Sequence, residues 1–255
     1  MVLWKKDNSK LKSTLLLLCL TGSISFNLIQ SSDVDGEKRK NEKLNENLSN
    51  ELDANFLLKK ENDKIKKILE KRNSKIKYIK SKFKRINPKV EDDLVNLFII
   101  VSDHYNLHPH ESYDLFISQL LVESRGRQHD KKGKVITGLA GEIGVCQIIP
   151  STALFFLKHK LSSKELESMI KLGADDPRKV KTEFQAKKWL SKTKNNVIMW
   201  GYIMNYNIKK THGKVSEGFV AYNTGFGGLK NFKGNGHKAI EHSYYKKIKI
   251  MSSKI

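Results

Sequence analysis

Glu123 stands in the stretch "LLVESRG", Leu120–Gly126, behind three consecutive apolar residues and three places before a glycine. The residues three and seven before it are Leu120 and Phe116. On a helix its carboxyl therefore shares an apolar face, with Gln119 one turn back on the flank. Loss of hydration disfavours the charged form and raises the pKa of such a group. A carboxylic acid that keeps its proton near neutral pH is what general acid catalysis needs. The competing reading is a helix-terminal glutamate that swings outward at the Gly126 bend. Taken alone, the helix leans to that second reading.

Two later stretches bear on the choice. In "GLAGEIGVCQIIPSTA" the glycines Gly138, Gly141 and Gly144 recur every third residue, and Gln147 and Pro150 continue the interval. Glycines permit a tight backbone path and close approach of a ligand. Gln147 offers donor and acceptor together beside Ile148 and Ile149. In "AYNTGFGG", Tyr222 and Asn223 end a helical pattern just before a glycine turn. A tyrosine can stack on a sugar face while its hydroxyl hydrogen-bonds. By itself that segment reads better as a glycine-capped helix with a core tyrosine.

Together the three stretches resemble the lytic transglycosylase domain of the soluble type, related to goose-type lysozymes. That family carries Glu-Ser at a helix end, then Gly-Ala-x-Gly-Leu-Met-Gln-Ile-x-Pro-x-Thr-Ala, then Ala-Tyr-Asn-Ala-Gly-x-Gly. Here they stand in the same order as Glu123-Ser124, "GEIGVCQIIPSTA" and "AYNTGFG", and the likeness runs from about Phe98 to Ile248. The resemblance implies a mostly α, lysozyme-like catalytic domain. It implies cleavage of peptidoglycan glycan strands between N-acetylmuramic acid and N-acetylglucosamine, leaving 1,6-anhydro ends. Glu123 would be the single catalytic acid/base, and the substrate's own C6 hydroxyl would replace the second carboxylate of ordinary glycosidases. Ser124, Gln147, Ile149, Tyr222 and Asn223 would line the sugar pocket, and Tyr244 in "HSYYKKI" matches a late tyrosine facing the site. No cofactor or metal is implied. Two alternatives stay open: a muramidase of the goose-lysozyme kind, and a non-catalytic wall-binding module.

Departures from the family pattern bear on specificity. Glu142 replaces an alanine and Cys146 a methionine, and Cys146 reads as an apolar wall thiol. The loop between Glu123 and Gly141 is longer than the family's, so the serine usual there is not carried over, and Thr137 is no more than a candidate for its place. Asn196-Val197 fits an Asn-Ile-x-x-Gly motif, but Gly201 comes one place late. His104, His108 and His110 cluster around a turn without a further ligand to complete a metal set. Asp175-Asp176-Pro177 reads as a turn.

The elements that must position these groups are helical. Apolar residues recur with helical period in "VEDDLVNLFIIVSDHY", "SYDLFISQLLVES", "NNVIMWGYIMNYNIKK" and "HSYYKKIKIM". Pro150 opens a helix, Ser162 or Ser163 caps another and Gly173 stops it. A domain at 89–255 is expected, large enough for its own core. Before it, 31–88 is poor in glycine and aromatics and rich in Lys, Glu and Asn. Leu58, Ile65, Leu69, Ile76, Ile79, Phe83 and Ile86 form a heptad-like stripe along it. This predicts a long charged helix or weak coiled-coil stalk, ended by Asn87-Pro88.

The 255 residues carry 48 Lys+Arg against 27 Asp+Glu, a net charge of +21, which predicts attraction to polyanions. Lys64–Arg85 holds eleven basic residues and one acid, Glu70, a run that repels itself unless a polyanion is near. Residues 1–30 read as a signal peptide or N-terminal membrane anchor. Lys5, Lys6, Lys10 and Lys12 precede an apolar run, and Ser23 and Ser25 have the spacing a signal peptidase accepts. Leu18 before Cys19 argues against lipid attachment. An exported protein of the periplasm or cell envelope is expected, with peptidoglycan as partner, a membrane contact through the N-terminus, and no natural nucleic-acid partner.

Overall fold

A computed structural model describes residues 34–107 and 113–255. The expected export segment at 1–30, with Cys19, and the histidines His108 and His110 lie outside the described residues. No helix among the described residues is long and apolar enough to cross a membrane.

The chain is mostly helical, and among the described residues β-pairing is confined to isolated bridges at His129–Val135, Thr137–Ile143 and Ile143–Ile148. The helices are α1 (Val34–Ile86), α2 (Asp92–His104), α3 (Tyr113–Ser124), α4 (Pro150–His159), α5 (Ser163–Lys171), α6 (Glu183–Leu190), α7 (Thr193–Lys210), α8 (Val215–Gly234) and α9 (Ser243–Ser252). Their ends follow local chemistry. Ser162 with Glu165 and Thr182 with Gln185 form capping boxes at α5 and α6. Pro150 opens α4. α8 is broken at Gly225, whose φ of 70° and ψ of 170° only glycine adopts readily, so the expected stop after Asn223 becomes a kink within a longer element.

The chain divides into two compact units within α1, at Ile65–Lys66. In the first, Leu44, Leu48, Leu52, Phe56, Leu57 and Leu58 are exposed. In the second, α1 belongs to the domain. Ile79 and Phe83 are fully buried in the core, and Phe83 meets Phe98 edge-on at 5.6 Å. The domain therefore begins well before position 89, because the last turns of the heptad-like stripe are covered by α2 and α3 side chains. Part of the basic run is also neutralised there. Lys75, Lys80 and Lys82 pair with Asp103, Asp92 and Asp114. The run does not stand as a uniformly unpaired cationic face.

α7 is the central helix of this unit. Its residues from Asn195 to Met204 are buried all round, as expected of a helix enclosed by others. Gly201 is set by packing: a methyl there would lie 2.3 Å from Val101 and 2.7 Å from Tyr105 of the α2 segment. Trp200 stacks on Phe98 (5.5 Å, 28°) and meets Phe116 edge-on. α3 packs against α9, and α7 against α8, so the ends of α3, α8 and α9 converge.

Truncating a fully buried ring should be costly where truncating an exposed one is not. Phe83→Ala is expected to lower stability by about 3–5 kcal/mol in urea denaturation, and Phe56→Ala by less than about 0.5 kcal/mol. Equal losses would contradict the assignment of the two rings.

Candidate active site

Glu123 sits in the last turn of α3, half-buried, and its direction is fixed by how that turn ends. Arg125 and Gly126 take left-handed backbone (φ 59° and 66°) and return hydrogen bonds to Leu121 and Leu120. Gly126 also lets the chain pass against Phe83, 3.4 Å from where a Cβ would lie. Ser124, expected to touch substrate, is buried instead. Its hydroxyl donates to the Val145 carbonyl at 2.7 Å and accepts from the Arg127 N–H at 3.1 Å. It is a brace between α3 and the following loop, and both of its hydrogen-bonding roles are occupied.

That loop, 125–149, has almost no regular pairing, so buried side-chain amides take the place of a sheet. Gln128 accepts from the Val145 N–H (2.8 Å) and donates to the Ser191 carbonyl (2.8 Å). Asn196 accepts from the Cys146 N–H (2.8 Å) and donates to the Ile143 carbonyl (2.8 Å). Both amides crowd Gly144, where a Cβ would approach them to 2.6 and 2.8 Å. At Gly138 a Cβ would collide with the Glu142 carboxyl and the Gln147 amide. Two of the regularly spaced glycines therefore make room for polar side chains. Buried polar groups left unpaired would be costly, and each of these is paired.

The loop and helices together form a pocket lined by Glu123, Glu142, Gln147, Ile148, Ile149, Thr152, Ile203, Tyr222 and Asn223. Of the residues expected at the site, Glu123, Gln147, Ile149, Tyr222 and Asn223 are brought together in it. Gln147 has a left-handed φ of 50°, and its amide donates to the Gly144 carbonyl at 2.7 Å. The Tyr222 hydroxyl donates to the Cys146 carbonyl at 2.7 Å, which ties α8 to the loop. Tyr244 stands behind the lining rather than in it: its hydroxyl donates to Glu123 Oε1. Cys146 is buried, and burial pushes its thiol well up, consistent with an inert wall.

A further expectation, that of Thr137, is corrected. Thr137 lies in a different cavity, with Val135, Ile143 and Phe184, because the Thr137–Ile143 bridge holds it on the far side of the loop. His104 hydrogen-bonds Ser168 at 2.8 Å, as a surface histidine does. Four pocket residues were missed, Ile148 beside Gln147 among them. Thr152 follows Pro150 by two within the quoted motif, Ile203 sits one turn past the central Trp200, and Glu142 had been treated as a departure only. A larger cavity of about 670 Å³, lined by Asn87, Lys89, Arg127, His129 and Thr193 among others, shares no residue with the Glu123 pocket.

Burial pushes the Glu123 carboxyl up from its ordinary 4.5 to about 7. The hydrogen bond from Tyr244 opposes the rise and the charge of Glu142 adds to it. Burial and the neighbouring Glu123 drive Tyr244 well above the ordinary phenol range, so it keeps its proton and remains a donor. Near neutral pH the pocket therefore holds a carboxyl poised between acid and conjugate base, which suits it to give a proton and take one back.

No family model, curated protein or solved structure matches the chain.

A carboxyl raised in the fold ties its proton to stability. The folded state holds this proton from 4.5 up to about 7, where the unfolded chain has lost it. Stability from this group is therefore full below pH 4.5 and falls by roughly 3 kcal/mol as pH rises to about 7, then levels off. Glu123→Gln removes that slope. Urea titrations across pH should find the variant more stable than wild type by up to roughly 3 kcal/mol at pH 8 and nearly equal at pH 4.

Proposed function

We propose that this chain is an exported peptidoglycan lytic transglycosylase, with a lysozyme-like catalytic domain and a charged helical stalk preceding it. The observation that carries the reading is the Glu123 carboxyl. It is raised to about 7 by burial and lines one pocket with Gln147, Tyr222 and Asn223, which come from the three stretches that resemble the family. In this reading Glu123 gives its proton to the oxygen bridging N-acetylmuramic acid and N-acetylglucosamine as the bond from C1 breaks. The muramyl C6 oxygen then closes on C1, and its proton returns to the Glu123 carboxylate. Attacking group and leaving group both belong to the glycan, so one protein carboxyl serves both proton transfers. Gln147 and Asn223 present amides to sugar hydroxyl and acetamido groups, and Ile148, Ile149 and Ile203 give an apolar floor for the ring face.

A second reading is favoured by one residue. Glu142 lines the same pocket as Glu123. A second carboxylate there could deprotonate a water and turn the reaction into hydrolysis with reducing ends. Its carboxyl already accepts from the Ala140 N–H at 2.9 Å, a contact that suits a structural role equally well.

Purified protein incubated with sacculi should release muropeptides lighter by one water than the hydrolytic products. Glu123→Gln should lower release by roughly 10²–10⁴-fold, with the fold retained in circular dichroism. Glu142→Gln separates the readings. Retained release of anhydro products supports the transglycosylase. Reducing ends that vanish in Glu142→Gln establish the hydrolase, and sacculus binding without turnover refutes both.

A further inference from the structure

Behind Glu123 runs a line of hydrogen bonds that the proposed chemistry does not itself require. The Trp200 indole N–H donates to Gln119 Oε1 at 2.9 Å, the Gln119 amide nitrogen donates to the Tyr244 hydroxyl oxygen at 3.2 Å, and that hydroxyl donates to Glu123 Oε1. Trp200 and Gln119 are fully buried, and Tyr244 nearly so. Gln119 and Glu123 lie four apart on α3, Trp200 comes from α7 and Tyr244 from α9.

The order of donors along this line is forced from one end. An indole nitrogen can only donate, so the Gln119 atom facing it must be the amide oxygen. The amide nitrogen then faces Tyr244, and the tyrosine oxygen must accept from it. Once that oxygen has accepted on this side, its own hydrogen points to Glu123. Trp200 cannot turn away: Phe98 is stacked on its face and Phe116 abuts its ring.

We infer that Trp200 and Gln119 are positioning residues for the reaction, which set a one-way hydrogen-bond relay that commits Glu123 Oε1 to accepting from Tyr244 and so directs the acid proton to Oε2. A carboxylic acid with its proton shared between two oxygens presents the donor in the wrong place part of the time. The relay removes that choice without placing a charge near the acid. Of the titratable groups facing Glu123, Tyr244 from α9 and Glu142 from the loop shift its carboxyl, whereas Tyr222 from α8 and Cys146 from the loop are themselves pushed up by it. Of these, Tyr244 donates to it and lowers its pKa.

The catalytic arm of the test rests on the glycan-cleaving reading, whereas the titration arm does not. Trp200→Phe keeps a ring against Phe98 and removes the donor together with part of the indole's volume, so the Gln119 amide can reverse and draw the Tyr244 hydrogen to itself. Gln119→Met keeps the length of the side chain and removes both bonds. In Gln119→Met no amide oxygen competes for the Tyr244 hydrogen, so the Glu123 carboxyl, followed by ¹³C NMR, should titrate close to wild type; in Trp200→Phe it should titrate at higher pH than in wild type. With peptidoglycan, kcat should fall about fivefold, the scale of one lost hydrogen bond, with KM within twofold and the alkaline limb moved upward. A side chain that merely packs would lower the melting temperature and leave the titration and the kcat-to-KM split in place. Trp200→Phe matching wild type in both readouts overturns the relay. Wild-type protein inert on peptidoglycan would overturn the proposed function, yet an upward move of the NMR titration would still uphold the relay.

Discussion

The withdrawal of one carboxyl from water organises this domain. Leaving a charged carboxylate in apolar surroundings is expensive, and the structure answers by raising the pKa of Glu123 and supplying a single neutral donor, Tyr244. An arginine or lysine in place of Tyr244 would have stabilised the charged form and lowered the pKa, which removes the acid at neutral pH. The phenol offsets part of the desolvation while leaving the proton available. Every element around the site serves that balance. α3 carries the carboxyl inward, α9 brings the phenol, and α7 supplies the buried Trp200 and Asn196.

The loop following α3 shows the same economy in polar contacts. A segment without strands must pair its backbone groups some other way if it is to be buried. Gln128 and Asn196 do so from the two sides of Gly144, and Ser124 fastens the helix end to Val145. Because these amides each bridge several backbone atoms, Gln147, Ile149 and the Tyr222–Cys146 contact are held on a rigid frame. A pocket whose walls come from a loop needs such a frame to keep its side chains within the reach of a proton transfer.

How much of this was legible in the sequence differs by residue. Helices with a clear apolar period, such as Asp92–His104 and Thr193–Lys210, could be read directly, as could the proline and serine that open α4 and α5. The Glu183–Leu190 helix could not, since its buried residues are only Ala186, Trp189 and Leu190, too few to set a period. Glu123 could be placed on an apolar face from the positions of Leu120 and Phe116, but the same pattern permitted an outward turn. The turn ends in left-handed backbone at Arg125 and Gly126, which pack beside Phe83 from a segment more than forty residues away, a neighbour that the local sequence does not show. Ser124 went astray for a related reason. A hydroxyl next to the acid looks available for substrate until the partner at Val145 is known. Gln119 could be placed one turn back on the flank of Glu123, but its role could not be read, because that depends on an indole eighty-one positions away.

The global charge of the chain and the local chemistry of the site pull in opposite directions. A net charge of +21 would, if felt at Glu123, favour the ionised carboxylate and lower its pKa. The carboxyl is raised instead, and the charged group that acts on it is another acid, Glu142. Surface cations are screened within about 8–10 Å at physiological salt, whereas burial acts at the atom itself. Several of the lysines nearest the core, Lys75, Lys80 and Lys82, are in addition neutralised by aspartates of α2 and α3. The excess charge therefore coexists with the raised carboxyl without disturbing it. Separating long-range attraction from short-range desolvation lets one strongly cationic chain keep a carboxyl partly protonated near neutral pH.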